Sequence, residues 1–146
     1  MEKRGKGFTV IEVLIVMAVM IILMGAIMPV SSSFLNKNDL DLTVQKIVQS
    51  VRRAQFLAQA TDSDSTWGIH AQSGSVILFK GANYSARDAT RDEIYTFSNN
   101  EVLDGTTDFL FSKLTGFPTA TGTLSITSSD ASVRNVSINA FGIVQY

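Results

Sequence analysis

Cysteine is absent from the 146 residues, so a disulfide framework, a thiol nucleophile and a thiolate metal site are all excluded. Histidine occurs once, at His70, and a Ser-His-Asp relay would hang on that one side chain. It sits in a short alternating stretch and reads as a strand residue with a local hydrogen bond. No glycine-rich loop of the phosphate-cradling kind is present. The carboxylates Asp88, Asp92 and Glu93 are interleaved with Arg87 and Arg91 and lack calcium-loop spacing, which describes a solvated loop with local ion pairs. Charge is also sparse: 17% of residues are charged, with a formal net charge of −1. The basic footprint of a nucleic-acid-binding domain is therefore missing. No catalytic residue, cofactor or metal is expected, and the chain reads as a non-enzyme.

What is present is unevenly placed. The apolar fraction of 45% is ordinary for a globular chain, yet residues 13–30 hold no charge at all and consist almost wholly of large aliphatics and Met. Ahead of that run stand Lys3, Arg4 and Lys6, opposed only by Glu2. Cations beside a hydrophobic run stay on the cytoplasmic side, so the remainder of the chain is expected to face outward. As a helix, residues 8–30 would rise about 1.5 Å each, roughly 34 Å in all, enough for a hydrocarbon core of about 30 Å. A secretory signal would need a shorter core and a small-residue cleavage site after it. Here the small residue, Gly7, precedes the core, and cutting there leaves the apolar helix on the mature chain.

The run Gly7-Phe8-Thr9-Val10-Ile11-Glu12-Val13-Leu14-Ile15-Val16 resembles the start of a type IV prepilin or type II secretion pseudopilin. The resemblance implies a leader, residues 1–7, cut between Gly7 and Phe8 by a prepilin peptidase that also N-methylates Phe8. It implies an assembly role for Glu12, a carboxylate able to neutralise the amine of Phe8 in its own chain or a neighbour's. A carboxylate in lipid costs about 2.5–3.5 kcal/mol on insertion scales and usually has a partner. Pro29 lies where many family members carry a helix-loosening proline. Proline removes a donor and crowds the carbonyl four residues earlier, here that of Gly25, so Gly25 and Pro29 mark a place of helix flexibility.

Past a soft joint at residues 31–33, Leu40, Val44, Ile47, Val48, Val51, Ala54 and Ala58 recur at spacings of three and four, the stripe of an amphipathic helix over residues 31–60. Asp41, Gln45, Gln49 and Arg52 take the other faces. Helix potential fades near Ala60, before the polar residues 61–65. From Trp67 the period moves toward two, with β segments at 67–71, 76–79, 94–97, 109–111, 124–126, 136–138 and 143–146, the first two joined as a hairpin. Residues 81–92 read as a mobile loop. The expected fold is α+β and pilin-like: one long N-terminal helix, half transmembrane and half amphipathic, packed on a small antiparallel β head of residues 61–146. The helix end at 51–58, the stretch from Phe111 to Gly116 and the closing 136–143 are similar to H-type minor pseudopilins and related minor pilins.

The expected function is that of a structural subunit, a minor pseudopilin or minor pilin of a type II secretion pseudopilus or type IV pilus. The alternatives are a DNA-binding minor pilin for DNA uptake, a major pilin, or an uncut single-pass anchor. The implied partners are other pilin-like subunits, the prepilin peptidase and N-methyltransferase, the inner-membrane assembly platform, and membrane lipid before assembly. DNA is not expected among them. The implied location is the inner membrane with the head outside the cytoplasm, then the filament.

Overall fold

The computed structural model describes residues 7–146, leaving aside the side chains of residues 26–36. The leader cations Lys3, Arg4 and Lys6, the proline at 29 and the side chains of the serine joint lie outside the described residues. Helix α1 runs from Val10 to Gln59. The chain divides into two compact units, Met1–Leu35 and Asn36–Tyr146.

In the second unit α1 buries the expected stripe. Leu40, Ile47, Val51, Ala54 and Ala58 are wholly inaccessible, and Val44 and Val48 nearly so. The helix stops where Thr61 turns left-handed, at φ 52°. The carbonyl of Ala58, at the helix end, accepts the N–H of Thr61 at 3.2 Å and that of Leu114 at 3.0 Å, so a distant loop helps satisfy the helix terminus.

Eight strands follow: β1 Trp67–Gln72, β2 Ser75–Lys80, β3 Glu93–Thr96, β4 Val102–Gly105, β5 Asp108–Phe111, β6 Gly122–Thr127, β7 Val133–Ile138 and β8 Val144–Gln145. They form two antiparallel sheets, one ordered β3-β2-β1-β5 and the other β4-β6-β7-β8. The sequence pattern suggested one sheet against the helix; the stripe of α1 instead shares a single core with both. Trp67, Ile69, Val76, Leu78, Phe109 and Phe111 come from the first sheet, and Leu124, Ile126, Val136 and Ile138 from the second. β1 and β2 join through a turn at Gly74, whose φ of +77° suits glycine.

Strand β2 is buried at five successive positions, Ser75 to Phe79, with only Lys80 partly open. It lies inside its sheet and is covered on both faces, so its sequence lacks alternation. Phe79, on the face away from the core cluster, packs edge-on against Tyr84 at 5.7 Å. Tyr84 also stacks on His70, with ring centroids 3.9 Å apart and planes 17° from parallel. This corrects the expectation of a mobile loop over residues 81–92. That segment folds into two 3-10 turns, Tyr84–Ala86 and Ala89–Arg91, capped by the side chains of Asn83 and Asp88. Arg87 lies over the Tyr84 ring at 3.9 Å and pairs with Asp92 at 2.8 Å. These local bonds order the segment over the Tyr84 ring, although Asp92 Oδ1 is buried without a hydrogen-bond partner.

Candidate functional site

Of the sequence-selected residues, Gly7, Phe8 and Glu12 lie together at the start of α1. Gly7, Phe8 and Thr9 are not helical. Thr9 is the N-cap: its hydroxyl accepts the backbone N–H of Glu12 at 3.3 Å, and its carbonyl accepts those of Glu12 and Val13 at 3.1 and 3.3 Å. A threonine followed three residues later by glutamate, ahead of an apolar run, is the signature of a capping box. That signal lies in the sequence beside the leader motif and can be read without a structure. Glu12 thus stands in the first turn of α1, where the exposed N–H groups and the helix dipole favour negative charge.

Phe8, Glu12, Val13, Val16 and Met17 line one shallow depression of about 330 Å³, so the residue with the prospective new amine and the selected carboxylate face the same space. Phe8 is 83% exposed. Every large apolar side chain from Val10 to Met24 is also about half exposed or more, and Val10 reaches 79%. Contiguous bare apolar surface of that kind marks a contact with lipid or with other chains. Gly25 lies within α1, and nothing comes within 4 Å of where a Cβ would stand. Among the described residues no helix is long and apolar enough to cross a membrane; the apolar stretch with described side chains stops at Gly25, short of residue 30.

In the head the ionisable residues pair locally. His70 Nδ1 lies 2.8 Å from Asp108. Arg53 holds Glu93 through two bonds of 2.7 and 2.6 Å, and the Tyr95 hydroxyl donates to the same carboxylate at 2.7 Å. The arginine bond holds the Glu93 carboxyl below its ordinary range, against partial burial. Arg134 meets Asp41 at 3.1 Å, and Lys113 pairs with Asp64. Lys46 donates to the carbonyl of Thr96 at 2.6 Å. Among the described residues no cluster of three His, Asp or Glu side chains is arranged to hold a metal ion.

Sequence reasoning missed the buried polar pair of Glu101 and Thr43. Glu101, just before β4, is only 3% exposed, and its one hydrogen bond comes from the Thr43 hydroxyl, at 2.9 Å. Nothing in the run Asn99-Asn100-Glu101-Val102 announces burial; the partner lies 58 residues away on α1.

The family model for the prokaryotic N-terminal methylation motif matches residues 3–28. No curated protein and no solved structure gives a match.

Proposed function

We propose, for a chain whose N-terminal segment is that of a type IV pilin or pseudopilin, the role of a minor structural subunit in a type II secretion pseudopilus or type IV pilus. The methylation motif over residues 3–28 carries the reading. Two features of the geometry support it. Gly7 and Phe8 stand in non-helical backbone, open to a peptidase, since proteolysis concentrates in exposed segments without regular structure. The apolar face from Val10 to Met24 is bare in the single chain and would gain cover first from inner-membrane lipid, then from neighbouring subunits.

In this reading the precursor sits in the inner membrane with its head outside the cytoplasm, and residues 8–30 occupy the hydrocarbon core. The prepilin peptidase removes residues 1–7 and methylates Phe8, and the assembly platform transfers the helix into the filament. Glu12 then neutralises the methylated amine within the chain or across subunits. The minor status rests on the similarity of the helix end at 51–58, the stretch from Phe111 to Gly116 and residues 136–143 to H-type pseudopilins.

Intact-mass analysis of protein from native membranes tests this. The mature chain is expected to begin at Phe8 and carry one methyl group. A chain still beginning at Met1, in cells with an active prepilin peptidase, would remove the reading.

A further inference from the structure

We infer that Glu101 and Thr43 form a protonation-sensitive latch holding the crossover between the two sheets against helix α1. The segment from Phe97 to Glu101 carries the chain from β3 of the first sheet to β4 of the second. Both ends are fastened to α1, one by Lys46 on the Thr96 carbonyl at 2.6 Å, the other by Thr43 on Glu101 Oε1 at 2.9 Å. Glu101 Oε2 is buried and has no hydrogen-bond partner. A buried carboxylate with a bare oxygen is costly when ionised and far less so when neutral.

The surrounding charges do not rescue the ionised form. Asp39 and Lys46, both on α1, act on Glu101 in opposite senses, and the Lys46 ammonium is already bonded to Thr96. On the flanking strands, Glu93 and Tyr95 are bound up with Arg53, and the Asp104 carboxylate accepts its neighbouring Gly105 N–H at 2.9 Å. Burial raises the Glu101 carboxyl above its ordinary value of 4.5, with the Thr43 bond opposing. Beside the latch, Asp39, Leu42, Thr43, Lys46, Phe97 and Ser98 line a small cleft.

The native state therefore binds this proton more tightly than the unfolded chain does. The stability that the latch contributes is full below the unfolded value and is lost as pH rises through the folded one. Between those two values the ratio of folded to unfolded head falls by up to tenfold per pH unit. The inference stands on the head alone and is independent of the assembly role.

The experiment is denaturant unfolding of the full chain in detergent micelles from pH 4 to 8, followed by the fluorescence of buried Trp67. Parent, Glu101→Gln and Thr43→Val are compared. Glu101→Gln, which keeps the shape without the charge, is expected to match the parent at the acid end and to exceed it at pH 8. Thr43→Val removes the one bond that favours the ionised form and should move the parent's loss of stability to higher pH. An infrared band of a protonated carboxyl should appear in the parent and be missing from Glu101→Gln. Parallel pH profiles for parent and Glu101→Gln, or a Glu101→Gln less stable than the parent at pH 8, would overturn the latch.

Discussion

Replacing Glu12 by alanine separates two things the residue does. Its backbone N–H, which Thr9 accepts, survives in the variant, so the cap persists and only the charge near the helix start is lost, about 0.3–1 kcal/mol. Insertion into lipid should become easier, because a group costing about 2.5–3.5 kcal/mol is gone. Assembly should suffer: a methylated amine left without its carboxylate in the filament core forfeits about 3–5 kcal/mol. Glu12→Ala is therefore expected to fractionate with membranes as the parent does while its incorporation into sheared filaments drops tenfold or more, since about 1.4 kcal/mol is a factor of ten. Equal incorporation of the two would make Glu12 a bystander. At this scale a local signal is the kind a sequence can carry. Gly7, Phe8 and Glu12 lie within six residues of one another, inside the segment that the methylation-motif model matches. Glu101 was not legible, because its environment is set by Thr43, 58 positions away.

Among the elements, the amphipathic helix was the most legible, since all seven apolar positions picked by spacing are buried. The strands were uneven for physical reasons. β1, β5, β6 and β7 announce themselves through alternation or aromatics, as Phe109 and Phe111 do. β4 does not: it is an edge strand with Val102 67% exposed, only Leu103 partly buried, and Asp104 and Gly105 at its end. Its identity comes from pairing with β6 over the register Val102↔Thr127 to Gly105↔Leu124. Whether the stripe belongs to the head can be tested by truncation. A fragment of residues 36–146 keeps it, and a fragment of residues 61–146 loses Leu40, Val44, Ile47, Val48 and Val51 among others. At about 1.5–3 kcal/mol for each large aliphatic buried, those five amount to about 8–15 kcal/mol, as much as the whole stability of an ordinary domain. The longer fragment is expected to melt cooperatively and the shorter to aggregate, by calorimetry and light scattering. A shorter fragment that folds as well as the longer one would mean the sheets hold each other without α1.

For the molecule as a whole, charge decides between a protein-binding head and a DNA-binding one. Cleavage after Gly7, as proposed, would take away three cations and one anion, moving the formal charge from −1 to about −3, away from the basic footprint that phosphate binding needs. Of the cations on the head that a phosphate could recruit, Arg53 is held by Glu93, Arg134 by Asp41, and Lys46 by the carbonyl of Thr96. Arg52 has no ion pair among the described residues; it lines a shallow groove with Gln45, Val48, Gln49 and Tyr146. Adjacent helical positions also point about 100° apart, so Arg52 and Arg53 do not act as one clamp. A duplex would have to break three existing interactions to recruit these side chains, and one remaining arginine releases too few counterions to repay that. Affinity for double-stranded DNA is therefore expected no tighter than about 10⁻⁴ M near physiological salt, with a shallow salt dependence. Cross-linking in native membranes should instead capture other pilin-like subunits through residues 8–30. Fluorescence anisotropy with labelled duplex at several salt concentrations checks the first expectation. Micromolar binding that falls steeply with salt and disappears on mutating Arg52, Arg53 or Arg134 would put DNA uptake ahead of a purely structural role.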